Sequence, residues 1–384
     1  MDVTGDGGAS GDEGVYGDGD VNGTGEAPLL DRLRRRFPAG VMLRANTTIA
    51  AGEAGELLVI GENGFGIDGA DDGLRELAGR LAGGLAWPDG RGALSPRQLA
   101  LLEVFEARGM LVPLPRAGSA DQYTKQRHWL AHFDPRPEDA MERIARHRAV
   151  VVGCGGTGSI VATHLCAMGV RDLLLVDHDR VEITNFNRQF SYRRRDLGRP
   201  KTEALRDFLR ERYPDAEISA SQVFVDEDTV GGLGGAGGAG GPGGTGDPGG
   251  PGSRGSWTLF CCADRPVGTL ALLLAAHARA HGGAVIFAAA GLEEAAVGPL
   301  LLPEADAAHR EFAREMAELG AFARTTLADP VMSASIAPVN TVTAAWMVGE
   351  WTNGVILSRA TRASNARFVV DLGNSTTREE RTWG

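Results

Sequence analysis

A short glycine-rich segment, Gly153-Cys-Gly-Gly-Thr-Gly158, separates the apolar run "RAVVV" from a helix-forming sequence. In a strand–turn–helix of this kind, glycines let a phosphate group approach the backbone N–H groups at the helix N-terminus. Asp177 ends the next strand predicted along the chain, where a dinucleotide-binding fold places an acid on the ribose hydroxyls. Both features fit NAD(P), ATP, or a helix–sheet contact that needs glycine only for close packing.

The polar residues that follow favour a triphosphate over a dinucleotide. The segment "DHDRVEITNFNRQF" places amide and cationic side chains just beyond the sheet edge, and Lys201 follows in "LGRPKTEAL". Arg188 and Lys201 can neutralise charge on the phosphates. Asp264, at the end of the later strand "WTLFCCAD", can hold Mg²⁺ at the same edge. This combination predicts nucleotidyl transfer from ATP, and the alternative interpretation is a solvated polar loop.

Residues 120 to about 373 resemble the ThiF-type adenylating family, which includes enzymes that activate sulfur-carrier proteins and the adenylation domains of ubiquitin-activating enzymes. The resemblance rests on the glycine motif, "DHDRVEITNFNRQ", "GRPK" and the strand-end Asp264, in that order. It implies a Rossmann-like α/β fold with a mainly parallel sheet, ATP and Mg²⁺ as cofactors, and a homodimer.

The same resemblance implies a set of site residues. Those expected to contact the nucleotide are Gly153, Gly155, Gly156, Thr157, Gly158, Asp177, Asp179, Asn185, Arg188, Gln189 and Lys201. Within this set, Asp177 is expected to bind the ribose. Arg188 and Lys201 are expected to be catalytic, together with Asp264 as the Mg²⁺ ligand.

The chain departs from the family pattern at several places. Family members often carry two Cys-x-x-Cys pairs late in the chain, whereas "VGPLLLPEADAAHREF" has none, so we predict no zinc. No cysteine follows Cys262, which excludes a thioester-forming cysteine beyond that point. In place of the family's "RYxRQ" element stands "QYTKQRHW". Lys125 takes the position of the arginine that reaches the neighbouring subunit's ATP, and Arg127 lies close by. Arg265 stands where the family usually has an Asn after the magnesium Asp. The sequence leaves open whether Arg265 contacts the substrate or is simply solvated.

Composition divides the 384-residue chain into a tail, a module and a main domain. Residues 1–26 are rich in Gly, Asp and Ser, which predicts a disordered tail. Residues 27–118 predict a small winged-helix-like α+β module, and the alternative is an N-terminal extension packed on the main domain. Residues 119–384 alternate strands and helices and predict the ThiF-type adenylation domain. Within that domain, the Gly/Pro-rich stretch 231–256 predicts a flexible surface loop.

The N-terminal module indicates which acyl group we expect the protein to activate. A small unit of strands and helices before a ThiF-type domain resembles the leader-peptide recognition modules of peptide natural-product enzymes of the microcin C and pantocin type. The resemblance implies activation of a carboxyl or carboxamide group of a precursor peptide, bound by strand addition near "VMLRANTTIA" or "ELLVIGENG". Two alternatives remain: adenylation of the C-terminal Gly-Gly of a ubiquitin-like sulfur carrier, and a non-catalytic partner that presents a leader peptide.

Net charge and composition limit the other kinds of partner that we expect. A net charge of −11 argues against nonspecific nucleic-acid binding. No apolar run is long enough to span a bilayer and no signal peptide is recognisable, so we expect a cytoplasmic protein without membrane contact. Adenylation of a carboxylate needs no general base. We therefore expect four histidines to be hydrogen-bonded or surface side chains: His128, His132, His164 and His178. None of the cysteines shows Cys-x-x-Cys spacing, so we expect each of them to be a small apolar residue in a buried element: Cys154, Cys166, Cys261 and Cys262.

Overall fold

The structure is a computed structural model that describes residues 26–52, 55–62, 64–87, 94–115, 120–234, 256–325 and 334–384. The chain forms two compact units, residues 1–141 and 142–384. The predicted tail and most of the predicted glycine-rich loop lie outside the described residues. The predicted boundary between residues 118 and 119 stays a prediction.

The N-terminal unit combines helices with two small antiparallel sheets. Its elements are α1 (Glu26–Arg36), β1 (Gly40–Leu43), β2 (Thr48–Ala51), β3 (Leu57–Ile60), β4 (Phe65–Ile67), α2 (Asp72–Gly83), β5 (Leu85–Ala86), α3 (Pro96–Ala107), β6 (Leu111–Pro113), α4 (Thr124–Leu130) and α5 (Pro137–Arg146). One sheet has the strand order β5-β1-β6 and the other β2-β3-β4. The short strands and the helices expected for an α+β module are thus present.

Local sequence explains where the helices of this unit begin and end. Ser95 caps α3 in a capping box with Gln98, Pro96 follows at the first helical position, and Gly109 beyond the helix adopts a φ of +66°. The leucines of α2 and α3 face a shared core, in which Leu74, Leu77 and Phe105 are fully buried. Burial of this apolar face stabilises the short helices, which would be marginal alone.

The second unit contains one eight-stranded sheet. Its elements are β7 (Arg148–Val152), α6 (Gly156–Met168), β8 (Asp172–Val176), α7 (Lys201–Arg212), β9 (Glu217–Ser221), β10 (Trp257–Cys261), α8 (Thr269–Ala280), β11 (Ala284–Ala290), β12 (Glu294–Leu301), α9 (Asp306–Ala323), α10 (Ala337–Trp351), β13 (Ala366–Asp371) and β14 (Thr376–Thr382). The strand order is β14-β13-β12-β11-β10-β7-β8-β9. Strands β9, β8, β7, β10 and β11 are parallel, and β12 to β14 are antiparallel.

This topology determines where a ligand can bind. Strands β7 and β10 are buried along their whole length, as expected for parallel strands covered on both faces. The chain moves outward from β7 to β8 and β9, then returns to β10 on the other side of β7. The strand order therefore reverses between β7 and β10, and a crevice opens at the carboxyl ends of these strands. The predicted α/β fold with a mainly parallel sheet is confirmed.

Other elements serve the core. Trp257, Trp351 and Trp383 are almost completely buried, and Met347 and Trp351 are among the buried residues of α10. Among the helices described, none combines the length and the apolar character that crossing a bilayer requires.

Candidate nucleotide-binding site

The glycine segment forms a tight turn between β7 and α6. Gly153 has a φ of +91°, and a Cβ there would lie 2.8 Å from the backbone of Cys262 and Ala263. A Cβ at Gly158 would lie 1.7 Å from the Gly153 carbonyl oxygen. The turn therefore requires glycine at both positions, and it brings the N-terminal N–H groups of α6 to the carboxyl edge of the sheet.

Asp177 holds this turn in shape. Its Oδ2 accepts a hydrogen bond from the Cys154 N–H (2.6 Å), and its Oδ1 accepts one from the Asp179 N–H (2.8 Å). On the other side of the turn, the Tyr192 hydroxyl donates to the Cys154 carbonyl oxygen (2.7 Å). Each oxygen of the Asp177 carboxylate keeps acceptor capacity for a further donor, such as a ribose hydroxyl.

Lys201 is a buried cation at the start of α7. Its Nζ lies 2.8 Å from Asp179 Oδ2, and its backbone N–H donates to the Asp179 carbonyl oxygen (3.0 Å). The Lys201 side chain is 8% exposed, whereas that of Asp179 is 50% exposed. An ammonium group has three N–H donors, so Lys201 keeps donors for an anionic ligand while Asp179 holds it in place.

These groups line a cavity of about 300 Å³ at the carboxyl ends of β7, β8 and β10. Its polar wall contains Gly153, Gly155, Asp177, His178, Asp179, Lys201, Asp264 and Arg265. Its apolar wall contains Val176, Val223, Phe224, Val225 and Leu270, with further contacts from Val152 and Ala263. A nucleotide fits such a cavity, because its phosphates need cations and N–H donors while its flat base packs on apolar side chains.

Asp264 lies in this cavity just beyond β10, and its side chain is exposed. Within the described residues, no protein group forms a hydrogen bond or ion pair with its carboxylate. The same cavity holds Asp177, His178 and Asp179, whose potential ligand atoms lie within 4.8 Å of one another. Carboxylate oxygens are the ligands that Mg²⁺ prefers, so the donor set fits this ion. That Asp264 is the ligand stays a prediction.

Arg188 lies against the first turn of α6 and not in the cavity wall. A Cβ on Gly156 would be 3.3 Å from Arg188 Cγ, which places the stem of this side chain on the phosphate-binding turn. Its guanidinium donates to the Thr184 carbonyl oxygen (3.0 Å) and to Asn187 Oδ1 (2.8 Å). We expect Arg188 to exchange these bonds for a phosphate when a nucleotide binds.

Asn185 and Gln189 are buried beside the same turn. Asn185 Oδ1 accepts a hydrogen bond from the Glu182 N–H (2.9 Å), so this amide shapes its own loop. Gln189 is 2% exposed, and its Oε1 has no hydrogen-bond partner in the described residues. Gln189 Nε2 would be 3.9 Å from a Cβ on Gly155, which puts the amide at the N-terminus of α6. The structure therefore brings Gln189 to the turn and gives Asn185 a structural bond.

Asn340, in the first turn of α10, is a site residue that the sequence analysis missed. Its Oδ1 accepts a hydrogen bond from Thr157 Oγ1 (3.1 Å), and its Nδ2 donates to Ser335 Oγ (2.8 Å) and to the Ile336 carbonyl oxygen (2.7 Å). The Asn187 amide donates to the Ser335 carbonyl oxygen (2.9 Å). The residues before α10 therefore connect the glycine turn to the Arg188 loop. The one sequence signal available was an asparagine near the start of an apolar helix.

The two cations considered for a contact with a neighbouring subunit lie in the N-terminal unit. Arg127 donates two hydrogen bonds to Asp121, at 2.7 and 2.8 Å, and one to Glu138 at 3.2 Å. This pairing lowers the pKa of Asp121 and raises that of Arg127. Lys125 instead lines a cavity of its own unit. The proposed contact of either residue with a partner's ATP stays a prediction.

The cysteines of the site are unsuited to nucleophilic chemistry. Burial raises the pKa of Cys166 and Cys261 to about 12, and it raises the pKa of Cys154 and Cys262 well above the usual value of a thiol. All four groups are therefore thiols at neutral pH, and the thiolate is the reactive form. Cys154, Cys166 and Cys261 are buried and Cys262 is partly buried, which agrees with the role expected of them as small apolar residues.

Residues 126–233 match the model of the ThiF family. The resemblance inferred from the motifs is confirmed, and the matched range contains the glycine turn, Asp177, Arg188 and Lys201. Asp264 and Lys125 lie outside it.

Several curated proteins are similar to part of the chain. The SAMP-activating enzyme E1 of Haloferax volcanii is 35% identical over 114 residues, which cover 30% of this chain and 41% of that protein. Ubiquitin-like modifier-activating enzyme 5 of Caenorhabditis elegans is 47% identical over 77 residues, which cover 20% of this chain and 18% of that protein. The tRNA threonylcarbamoyladenosine dehydratase of Bacillus subtilis is 35% identical over 92 residues, which cover 24% of this chain and 36% of that protein. The chain thus spans less than half the length of these relatives.

Solved structures are similar over nearly the whole chain. Escherichia coli MccB with ATP has a TM-score of 0.63 at 17% identity, covering 90% of this chain and 97% of that one. MccB with MccA-N7isoASN has a TM-score of 0.64 at 16% identity and the same coverage. The structure of PaaA has a TM-score of 0.61 at 18% identity, covering 88% and 99%. At these identities the similarity shows the fold alone.

Proposed function

We propose that this protein is an ATP-dependent adenylyltransferase that activates a carboxyl or carboxamide group of a ribosomally made precursor peptide. The observation that carries the proposal is the cavity that unites the glycine turn, Asp177, Lys201 and Asp264. The ThiF match and the activating enzymes among the relatives support adenylyl transfer in general.

The chemistry needs positioning and charge stabilisation more than acid–base catalysis. A carboxylate oxygen of the acceptor attacks the α-phosphorus of ATP, the bond from that phosphorus to the bridging oxygen breaks, and pyrophosphate leaves. The attacking carboxylate is already ionised, so no proton has to be removed. Mg²⁺, when bound, neutralises phosphate charge. Lys201, Arg188 and the N–H groups of α6 would stabilise the charge that develops on the leaving pyrophosphate.

A precursor peptide is the acceptor that the N-terminal unit favours. The structures similar over 90% of the chain include MccB in complex with the peptide MccA, and the covered part includes residues of both units. The carrier-protein alternative rests on relatives that cover no more than 30% of the chain. A non-catalytic presenter has no need for the buried Lys201 or the free carboxylate of Asp264, which disfavours the third reading.

The stretches considered for peptide docking form β1, β2 and β3, and of these three strands only β2 has a free edge within the described residues. Strand β1 pairs with β5 and β6, and β3 pairs with β2 and β4, whereas β2 pairs only with β3. The Gly52 N–H donates to the Glu56 carbonyl oxygen (2.9 Å). The alternation of an antiparallel ladder then leaves Ile49 and Ala51 with their backbone groups facing outward. We propose that the peptide adds a strand to this edge.

The catalytic proposal is tested by exchange of labelled pyrophosphate into ATP, screened with candidate precursor peptides. We expect Asp264→Asn to abolish peptide-dependent exchange while the protein stays folded, because Asp264 lines the cavity and its carboxylate makes no hydrogen bond or ion pair with the described residues. Asp215→Asn, which removes an exposed carboxylate just beyond α7, is the matched control and should retain exchange. Normal exchange by Asp264→Asn would remove Asp264 from the site.

The docking proposal has its own test, peptide affinity. Ala51→Pro removes an outward-facing N–H and should weaken peptide binding at unchanged ATP affinity, whereas Ala51→Val keeps the N–H and should bind as the wild type does. Equal peptide affinities of the two variants would exclude the β2 edge.

A further inference from the structure

The N-terminal unit contains a cavity of about 660 Å³ that shares no lining residue with the candidate nucleotide cavity. Its lining comes from the turn between β1 and β2, the end of β3, the segment after α3 and one side of the region from α4 to Phe133. The lining residues are Arg44, Ala45, Asn46, Thr47, Glu62, Gly109, Met110, Lys125, His128, Trp129, His132 and Phe133. Its size is typical of ligand-binding cavities.

The charge of this cavity is opposite to that of the whole chain. Arg44 and Lys125 contribute two cations, and Glu62 contributes the one carboxylate of the lining. Glu62 is a poor partner for Arg44, because the ion pair is 3.7 Å long and the Glu62 side chain is 81% exposed. The protein as a whole carries a net charge of −11. A local cationic site in an acidic protein favours an anionic ligand.

His132 holds the Arg44 side chain in place. Arg44 Nε lies 3.1 Å from His132 Nδ1, and the Ala45 N–H faces His132 Nε2 at 3.2 Å. A protonated ring carries an N–H on both nitrogens, so it could accept a hydrogen bond from neither Arg44 Nε–H nor the Ala45 N–H. Burial, Arg44 and His128 accordingly lower the pKa of His132. A neutral ring accepts at one nitrogen only, so the tautomer with its proton on Nε2 accepts from Arg44 Nε–H and makes no hydrogen bond with the Ala45 N–H. In that tautomer His132 binds the Nε end of the guanidinium and does not use its terminal nitrogens.

Aromatic surface lies beside these cations. Trp129 and Phe133 are 44% and 38% exposed, and their rings pack edge to face with centroids 4.8 Å apart. Large apolar rings exposed at a cavity wall are a typical feature of a recognition site. The cavity thus offers a contact for a carboxylate and a contact for an apolar side chain.

We propose that this cavity, which we call the Arg44 cavity, binds an acidic residue and a neighbouring apolar residue of the precursor peptide's leader. The inference rests on the proposed function and specifies the part of the peptide that is recognised. Residues 45–47 line the cavity and lead directly into β2, whose free edge is the proposed docking strand. Backbone pairing with β2 supplies affinity without sequence preference, whereas Arg44 with Trp129 supplies the preference.

The test begins with short random peptides displayed on phage and selected on the full-length protein. We expect the enriched peptides to share an Asp or Glu next to an apolar residue. Enrichment of peptides without an acid, or no enrichment, overturns the inference. Competition by inorganic phosphate at low millimolar concentration would identify a phosphate site instead, which also overturns it.

The selected peptide is then measured against variants by fluorescence anisotropy. Arg44→Gln should weaken binding at least tenfold, since a hydrogen bond between charged groups is lost. Lys125→Gln should weaken it less, because an ammonium is a single point of contact. Arg310→Gln, which removes an exposed arginine on α9, is the control and should bind normally. Thermal unfolding of Arg44→Gln shows whether the unit remains folded, and Arg44→Lys should restore part of the affinity.

The outcomes separate this inference from the proposed function. If Arg44→Gln binds the peptide as tightly as the wild type, the Arg44 cavity is not the recognition site, although peptide-dependent pyrophosphate exchange still stands. If the wild-type protein binds the peptide through Arg44 but no peptide supports exchange, the adenylation proposal fails and the cavity remains a peptide site.

Discussion

Gly156→Ala is a change for which helix propensity and packing predict opposite effects. Gly156 is the first residue of α6 and its φ is not in the left-handed region, so alanine should favour the helix by up to about 1 kcal/mol. The new Cβ, however, would lie 2.3 Å from Asn340 Oδ1 and 2.7 Å from Asn340 Cγ. Contacts of this length cannot persist, so Asn340 or the glycine turn has to move.

The cost of that movement follows from the bonds of Asn340. This side chain is 4% exposed and makes three hydrogen bonds, to Thr157, Ser335 and Ile336. Each is worth about 1 kcal/mol net, and overpacking a buried site costs about 1 to 3 kcal/mol. We therefore expect Gly156→Ala to lower the free energy of unfolding by about 1 to 2 kcal/mol after the helix gain is subtracted.

A double-mutant cycle with Asn340→Ala isolates this contact. In that background the clashing oxygen is absent, so Gly156→Ala should be neutral or slightly stabilising. The coupling free energy should be about 2 kcal/mol, measured by urea unfolding at equilibrium. Pyrophosphate exchange should fall in Gly156→Ala and recover partly in the double variant. Additive effects on unfolding would refute the argument, because they would show that Asn340 does not limit the space at Gly156.

Four further outcomes are expected. Lys201→Gln should lower pyrophosphate exchange by a factor of about 100 or more without unfolding the protein, because Asp179 is half exposed and stays solvated; an unchanged rate would exclude a phosphate contact. Burial lowers the pKa of His147 from 6.5 to about 3, so the folded state loses stability as the pH falls below 6.5. Between pH 7 and pH 5 this histidine should lower the free energy of unfolding by about 2 kcal/mol. His147→Gln should remove that part of the pH dependence, measured by urea unfolding. Thiol reagents at pH 8 should label the native protein far more slowly than the unfolded one, since burial raises the pKa of every cysteine; rapid labelling of native protein would contradict this. A zinc chelator should leave exchange activity and the unfolding temperature unchanged, whereas loss of either would reveal a zinc site.

The parts of the fold that follow from local chemistry could be predicted from the sequence. The glycine turn, the buried strands on either side of it and the capped helix α3 depend on residues close together in the chain. Their backbone preferences are fixed by Gly153, Gly158 and Ser95 whatever surrounds them. The mainly parallel sheet followed from the alternation of strands and helices, because parallel neighbours in a sheet are joined by crossover helices.

The parts that depend on distant residues could not be predicted. Asn340 reaches Thr157 across 183 positions of sequence, and no periodicity in "APVNTV" indicates such a bond. The last strand, β14, likewise escaped prediction, because "TTREERT" is polar throughout and lacks the alternation of a half-buried strand. The hydrogen bond that Asn185 accepts within its own loop could not be predicted for a related reason, because the sequence does not distinguish an amide that caps its loop from one that binds a phosphate. The predicted contact of Asn185 with the nucleotide stays a prediction.

The dual position of Asp177 determines which variants can test catalysis. Its carboxylate accepts the hydrogen bonds that shape the glycine turn, and it also lines the cavity expected to hold the ribose. Asp177→Ala would therefore remove the turn and the ribose contact together, leaving the buried N–H of Cys154 without a partner. Lost activity in that variant would not distinguish an architectural role from a binding role. Asp264 has no such internal bonds, and Lys201 leaves a solvated partner, so these two residues provide the cleaner measure of what the cavity does.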